Sequence, residues 1–183
     1  MPGRVNTTKS GQGAGGLFPA FFRPCRTSAA GCEGAGMRYN KTVRLKDGRE
    51  CCLRNGTESD GQAVVGLWRL TQGQTDYLLS YPDEGSADAA QEGRLLRAKE
   101  ESPNEIEMLA VVGGAVAGSA GVAAGTKYKV RHRAVFGISV AREYWGLGIG
   151  TALLSACIEC ARAAGYVQLE LNAVAENARA VHV

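Results

Sequence analysis

The amino-acid sequence predicts a mixed α/β fold of the α+β type, with a mostly antiparallel central sheet and flanking helices. Two observations predict it. Two glycine-containing turns each lie between stretches rich in β-forming residues, which indicates antiparallel hairpins. The second half of the chain then alternates strand, helix, strand and helix, which excludes a helical bundle. The chain has 183 residues, of which 45% are hydrophobic, and this is enough for one domain with a sizeable core.

The first forty residues are predicted to be a disordered extension, and residues 41–183 to be the folded domain. Residues 1–36 are rich in glycine and have no periodic apolar pattern that could bury one face. Their basic residues, with no acid before Glu33, also suit an organellar transit peptide. The six cysteines are sparse and favour a reducing setting, so a cytoplasmic location is expected unless the extension is such a peptide.

The charge and hydropathy patterns argue against nucleic acid and membrane as partners. The chain has 21 basic and 18 acidic residues, and a net charge of +3 is too small to build a strong phosphate-binding field. The stretch 108–125 carries no charge, but it is rich in glycine and alanine and Gly113-Gly114 interrupts it. A Gly-Gly pair between β-forming stretches favours two strands, at about 105–112 and 115–125, over a membrane span.

The N-terminal half of the domain is predicted to contain a hairpin and two helices. Lys46-Asp47-Gly48 separates strands at 41–45 and 49–53. Turn residues then precede a helix at about 59–70, and Ser86 is expected to cap a second helix that runs to about Glu101. This region is expected to meet the substrate. Its candidate walls are the aromatic residues Trp68, Tyr77 and Tyr81.

The C-terminal half is predicted to form strand, helix, strand and helix. Arg133 to Val140 is rich in β-formers, and apolar residues at helical spacing follow from Leu153 to Ala161. Gly165 is expected to end this helix, an alternating strand occupies 166–172, and a last helix begins at Ala175. Cys157 and Cys160 have the spacing of a metal motif but lie in mid-helix without a second pair, so no metal site is predicted.

A glycine-rich loop from Trp145 to Thr151 lies between the predicted strand and the amphipathic helix. Glycines let backbone amides converge, and a helix N-terminus adds unpaired N–H groups and a partial positive charge. We therefore expect the loop to hold an anion, most simply a pyrophosphate. A P-loop that binds a nucleoside triphosphate needs a lysine directly before its serine or threonine. No lysine lies near Thr151, which excludes this motif. A dinucleotide fingerprint with Glu170 as the ribose ligand stays open, although Thr151 replaces its third glycine.

A combination of four segments carries a family resemblance. Phe136-Gly-Ile-Ser-Val140, Trp145-Gly-Leu-Gly-Ile-Gly150-Thr-Ala-Leu-Leu154, Leu169-Glu-Leu-Asn172 and Asn177-Ala-Arg-Ala180 together closely resemble the acetyl-CoA-binding core of the GCN5-related N-acetyltransferase (GNAT) superfamily. The resemblance implies the GNAT fold and transfer of an acetyl group from acetyl-CoA to a primary amine of a small molecule or protein. Trp145 stands where the family loop usually has arginine or glutamine. The replacement removes a positive charge, but it leaves the backbone N–H groups that would bind the pyrophosphate.

The same resemblance implies the site residues. The main chain at 138–140 and Asn177 would contact the pantetheine arm, the amides of the glycine loop would bind the pyrophosphate, and the Val140 N–H would hold the developing oxyanion. No metal is implied. The expected cofactor contacts are Ile138, Ser139, Val140, Trp145, Gly146, Leu147, Gly148, Ile149, Gly150, Thr151 and Asn177.

Two catalytic groups of the family are not found in the sequence. Val135 occupies the likely position of the general base, which is therefore unknown; Glu105, Glu107 and Glu170 are the candidate substitutes. The family's thiolate-protonating tyrosine would fall just beyond Val183. We therefore expect a domain incomplete at its C-terminal end, without the last strands of the fold. The competing prediction is a non-catalytic coenzyme A-binding fragment, and an unpaired edge strand favours a homodimer.

Overall fold

The computed structural model describes residues 37–78, 88–125 and 127–183. It contains a single curled sheet of six strands in the order β1-β2-β3-β4-β5-β6, with helices packed against it. The predicted mixed α/β fold is confirmed. The strands are β1 (Asn40–Arg44), β2 (Glu50–Asn55), β3 (Ile106–Val112), β4 (Ala115–Ala124), β5 (Arg133–Val140) and β6 (Gln168–Glu170), and the helices are α1 (Gly61–Gln72), α2 (Ala89–Glu101), α3 (Ile149–Ala163) and α4 (Ala178–Val181).

Both predicted hairpins are present, and positive backbone angles at glycine close them. Gly48 has φ +88° in the β1–β2 turn, and Gly113 and Gly114 have φ +56° and +85° in the β3–β4 turn. Two consecutive positive φ values are the requirement of a type I′ hairpin turn, which is why the Gly-Gly pair predicted a hairpin. The uncharged stretch thus lies in strands, and no helix in the described ranges is long and apolar enough to cross a bilayer.

The buried core begins earlier than the expected start at residue 41. Met37 and Tyr39 are only 2% and 4% exposed, so residues before β1 belong to the packed domain. Every residue of β3 is buried, because helices cover both faces of the central strands. Helices α1 and α2 touch each other at Gly61 and Gly93, where any Cβ atom would collide with the backbone of the facing segment.

The helix boundaries differ from the expected ones at two N-termini. Asp88 caps α2, since its side chain accepts a hydrogen bond from the Ala90 N–H at 2.9 Å; the expected cap, Ser86, lies outside the described residues. The last helix begins at Ala178, three residues after the expected Ala175, because Asn177 caps it instead. Aspartate and asparagine are both strong caps, and local sequence alone does not decide between neighbouring candidates.

Strands β5 and β6 pair in parallel over only three residues. The paired residues run from Arg133 to Val135 on β5 and from Gln168 to Glu170 on β6. The expected strand at 166–172 is therefore shorter than predicted. Beyond Val135 the two strands separate, so the second half of β5 keeps β4 as a neighbour on one side and has no strand partner on the other among the described residues.

A stability prediction follows from a buried carboxyl of α2. Glu92 is 4% exposed, and burial followed by repulsion from Glu107 raises its pKa, partly offset by Lys99. A carboxyl whose pKa is raised in the folded state makes its most favourable contribution to stability at low pH. That contribution is lost as the pH rises from the unfolded pKa through the folded one. We expect Glu92→Gln to raise the free energy of unfolding at pH 7 by on the order of 1 kcal/mol.

The measurement is urea unfolding of Glu92→Gln and of the wild-type protein at pH 7 and at pH 4. The difference in unfolding free energy between Glu92→Gln and the wild-type protein should be smaller at pH 4, where the wild-type carboxyl takes up its proton. Glu100→Gln removes a less buried carboxyl of the same helix, and as the control it should change the free energy of unfolding at pH 7 less than Glu92→Gln. A variant that is less stable than the wild-type protein at pH 7 would contradict the prediction.

Candidate functional site

The glycine loop leads directly into α3, and it leaves the start of that helix without a side-chain cap. Gly148 is the N-cap residue, at φ +95°, and no side chain in the described ranges caps the first turn. By contrast, Asp88 caps α2 and Asn177 caps α4 with their side chains. The first N–H groups of a helix have no partner within it and carry a partial positive charge. The loop therefore presents free donors to an anion.

Among the described residues, no atom occupies the space beside the first two glycines of the loop. A Cβ atom added to Gly146 or Gly148 would meet no atom within 4 Å, and both glycines have positive φ values. The carbonyl of Leu147, between them, accepts a hydrogen bond from the Lys46 N–H at 3.2 Å, which ties the loop to the β1–β2 hairpin. The loop is thus held in place by the hairpin, while the side that faces away from the protein has room for a ligand.

The unpartnered end of β5 offers main-chain groups next to this loop. The Ala141 N–H donates to the Ala117 carbonyl at 2.9 Å, so Ala141 directs its main-chain groups toward β4. Because antiparallel pairing alternates along a strand, Ser139 also faces β4, whereas Ile138 and Val140 direct their main-chain groups to the opposite side. That is the side from which β6 has separated. The expected roles of Ile138 and Val140 fit this geometry, and a main-chain role for Ser139 does not.

Trp145 connects the end of β5 to two arginines. Its indole N–H donates to the Val140 carbonyl at 2.7 Å. The guanidinium groups of Arg142 and Arg179 lie 5.3 Å and 4.8 Å from the centre of its ring. Trp145 stands where the family loop usually has a cation, but the fold brings two cations to the same place. Nothing in the sequence could have shown this for Arg179, which is distant along the chain.

The hydrogen bond from Trp145 is testable by itself. Trp145→Phe keeps an aromatic ring for the arginines but removes the donor, so the Val140 carbonyl loses its 2.7 Å partner. We expect the free energy of unfolding to fall by about 1 kcal/mol, the usual net value of such a bond. Urea denaturation monitored by circular dichroism measures the change. Equal unfolding free energies for the variant and the wild-type protein would show that the bond contributes nothing.

Asn177 lies at the start of α4, with its side-chain oxygen already engaged. This oxygen accepts the Ala180 N–H at 3.2 Å, which leaves the amide nitrogen of Asn177 as the donor for the expected ligand contact. Helix α4 stays near the loop: Arg179 lies over Trp145, and the side chain of Val183 is within 3.6 Å of the Cβ position of Gly150. The segment after β6 and the glycine loop therefore border the same space.

The three candidate bases all have partners. Glu107 is 7% exposed and forms an ion pair of 2.8 Å with Lys99. Glu105 accepts the Ala124 N–H at 3.1 Å. Glu170 pairs with Arg133 at 3.3 Å, but its side chain is 45% exposed, and it lies in register with Val135 on the neighbouring strand. Of the three, Glu170 is the most exposed to solvent, since Glu107 is buried and Glu105 is half-buried.

The remaining candidate residues from the sequence are aromatic side chains and cysteines. The Tyr77 hydroxyl donates to the Glu176 carbonyl at 3.5 Å, and Trp68 packs against the core; Tyr81 lies outside the described residues. Cys157 is fully buried, and burial raises the pKa of its thiol to about 12, so it is an inert core residue. In the part of the chain that the structure describes, no group of three acidic, histidine or cysteine side chains could hold a metal ion.

Comparisons with known proteins agree with this fold. The profile of the Acetyltransferase (GNAT) family matches residues 70–183, which is more than half of the chain. A GNAT-family acetyltransferase from Streptococcus pneumoniae is 28% identical, with a TM-score of 0.69 over 72% of this chain and 80% of that chain. Ribosomal-protein-alanine N-acetyltransferase from Brucella melitensis is 24% identical, with a TM-score of 0.62 over 71% and 78% of the two chains.

A third structure was solved with a ligand. The Salmonella typhimurium protein yncA, with its cofactor acetyl-CoA, is 17% identical and has a TM-score of 0.63 over 76% of each chain. No protein with a curated description matches the chain. A sheet that separates beside a glycine loop at a helix start defines an acyltransferase fold of the GNAT type. The chain belongs to the GNAT acetyltransferase family.

Proposed function

We propose that the chain binds acetyl-CoA at the glycine loop and transfers its acetyl group to a primary amine. The observation that carries this proposal is the uncapped start of α3 beside the unpartnered end of β5. The amides from Leu147 to Thr151 fit a pyrophosphate, because they lie at a helix N-terminus with empty space before them. The separated strands leave room for an extended pantetheine arm next to Ile138 and Val140.

The chemistry is direct attack of a neutral amine on the thioester carbonyl. The amine nitrogen bonds to the carbonyl carbon, the C–S bond breaks, and coenzyme A leaves as a thiolate that takes up a proton. The Val140 N–H, which faces away from β4, donates to the oxygen on which negative charge develops, and a donor of this kind typically contributes about 3 kcal/mol. Holding both substrates in one cleft supplies much of the remaining rate enhancement.

The proton that leaves the attacking amine needs an acceptor. Glu170 is the exposed carboxylate on the strand beside β5, and it would take up the proton through an intervening water molecule. Glu107 is unsuitable because it is buried and already bound to Lys99.

The competing function, coenzyme A binding without catalysis, is favoured by one observation: β5 carries no carboxylate, and each nearby carboxylate already has a hydrogen-bond or ion-pair partner.

Two measurements distinguish these functions. Titration calorimetry with coenzyme A tests binding, and release of free thiol from acetyl-CoA with a panel of small amines and peptide N-termini tests transfer. Amine-dependent thiol release supports acetyl transfer. Binding without thiol release for any amine supports the non-catalytic function, and a folded protein that shows no heat of binding with coenzyme A rejects both.

A further inference from the structure

A surface groove of about 480 Å³ lies between the β1–β2 hairpin and the first turns of α3. It borders the glycine loop at Leu147, Gly148 and Thr151, but the proposed function gives no role to its hairpin side. Arg44 and Lys46 line it from the hairpin, and Thr151 and Ser155 line it from the helix. Residues four apart lie on the same face of a helix, so the two hydroxyls face the hairpin one above the other. Val43 and Ala152 supply an apolar lining.

The position of the groove suggests which part of a ligand it takes. Strands β1 and β5 lie on opposite sides of the middle of the sheet, and the start of α3 lies between the hairpin and the end of β5. A coenzyme A molecule with its pyrophosphate on the loop directs its pantetheine arm to Val140. The other end of the pyrophosphate carries the adenosine with its 3′-phosphate. The groove borders the loop and is lined by the hairpin, and neither Ile138 nor Val140 lines it.

The charges in the groove match a phosphate monoester. Arg44 and Lys46 are both exposed, and neither is within ion-pair distance of a carboxylate in the described parts of the chain, even though Glu50 lies opposite Arg44 in the hairpin. The Lys46 backbone N–H bonds to the Leu147 carbonyl, so the main chain that carries this lysine is held close to the loop. Two free cations and two hydroxyls can together bind a doubly charged oxyanion.

We propose that this groove binds the 3′-phosphate of coenzyme A, with Arg44 and Lys46 as its cationic contacts. The inference rests on the proposed function, because it needs the pyrophosphate on the glycine loop. It adds a specificity for 3′-phosphorylated coenzymes, since a coenzyme without that phosphate gives the two cations nothing to bind. The apolar lining from Val43 and Ala152 is suited to the edge of the adenosine.

The test compares coenzyme A with 3′-dephospho-coenzyme A by titration calorimetry. We expect the wild-type protein to bind coenzyme A roughly tenfold more tightly, the scale of one or two charge-assisted hydrogen bonds. The double variant Arg44→Gln/Lys46→Gln should bind coenzyme A as weakly as the dephospho form. Its affinity for the dephospho form should stay at the wild-type value.

Lys129→Gln is the matched control, because it removes one exposed positive charge at the opposite end of the sheet. It should leave both affinities unchanged. Equal affinity of the wild-type protein for the two coenzymes would overturn the proposal, and so would discrimination that persists in the double variant but disappears in Arg179→Gln. Failure of the proposed function looks different, because neither coenzyme would then bind to the wild-type protein.

Discussion

Gly148→Val should reduce coenzyme A affinity by at least about 100-fold, the largest effect on binding that we expect from a single substitution. Gly148 has φ +95°, a conformation that a β-branched residue rarely adopts. Its Cβ position faces the empty space in front of the helix start. A valine there would both distort the loop and fill the volume that the proposed pyrophosphate needs. Titration calorimetry with coenzyme A measures the loss.

Gly165→Val separates the two causes. Gly165 has φ +84° after the other end of α3, and a Cβ there also meets no atom within 4 Å. The control carries a similar backbone penalty, which is about 1–2 kcal/mol for a left-handed residue, but lies far from the loop. It should lower the melting temperature about as much as Gly148→Val and leave binding intact. Normal coenzyme A affinity in Gly148→Val would contradict a pyrophosphate site at this loop.

Asp60→Ala should cause the largest loss of stability, about 3–5 kcal/mol at pH 7, because it leaves a buried arginine without its counter-ion. The Asp60 carboxylate is fully buried and accepts two hydrogen bonds from Arg54, at 2.7 Å and 2.8 Å. It also accepts the N–H and the hydroxyl of Thr57, which closes the turn before α1. Urea unfolding monitored by circular dichroism gives the change in free energy.

The pH dependence of this effect has a definite sign. Burial alone would raise the pKa of Asp60, but the hydrogen bonds and charge of Arg54, with the contacts of Thr57, outweigh burial and lower it. A lowered pKa in the folded state contributes stability above the unfolded value, about 3.9 for aspartate, and this stability is lost as the pH falls through the folded pKa. The difference between Asp60→Ala and the wild-type protein should therefore be constant from pH 7 to pH 5 and narrow below pH 4.

Two further variants identify the cause of the Asp60 effect. Asp47→Ala breaks an exposed pair with Arg49 and should cost far less. Arg54→Met combined with Asp60→Ala removes both buried charges, and it should be more stable than Asp60→Ala alone. If the double variant is as unstable as the single one, the loss comes from the turn contacts of Thr57 and not from an unpaired charge.

Features that depend on short stretches of chain were predictable. Asp47-Gly48 and Gly113-Gly114 place residues that tolerate positive φ between β-forming stretches, and both turns formed where expected. The glycine loop was found in the same way, because a strand, several glycines and an amphipathic helix follow one another. The family resemblance depends on such local segments as well, and the profile match over residues 70–183 confirmed it.

Features that depend on contacts between distant segments were not predictable. The meeting of Arg179 with Trp145 and the ion pair between Lys99 and Glu107 depend on how helices lie on the sheet. The shortness of β6 depends on where it leaves β5. The direction of the Val140 N–H follows from its register with β4, and a shift of one residue would reverse it.

The sequence by itself determined the order of the elements, the two hairpin turns and the glycine loop, because backbone preferences and apolar periodicity act over a few neighbouring residues. Only the tertiary structure decided which groups surround that loop. The groove with Arg44 and Lys46, the arginines at Trp145 and the main-chain groups of Val140 are brought together by sheet register and helix packing. These depend on burial of the whole core, which no local pattern specifies.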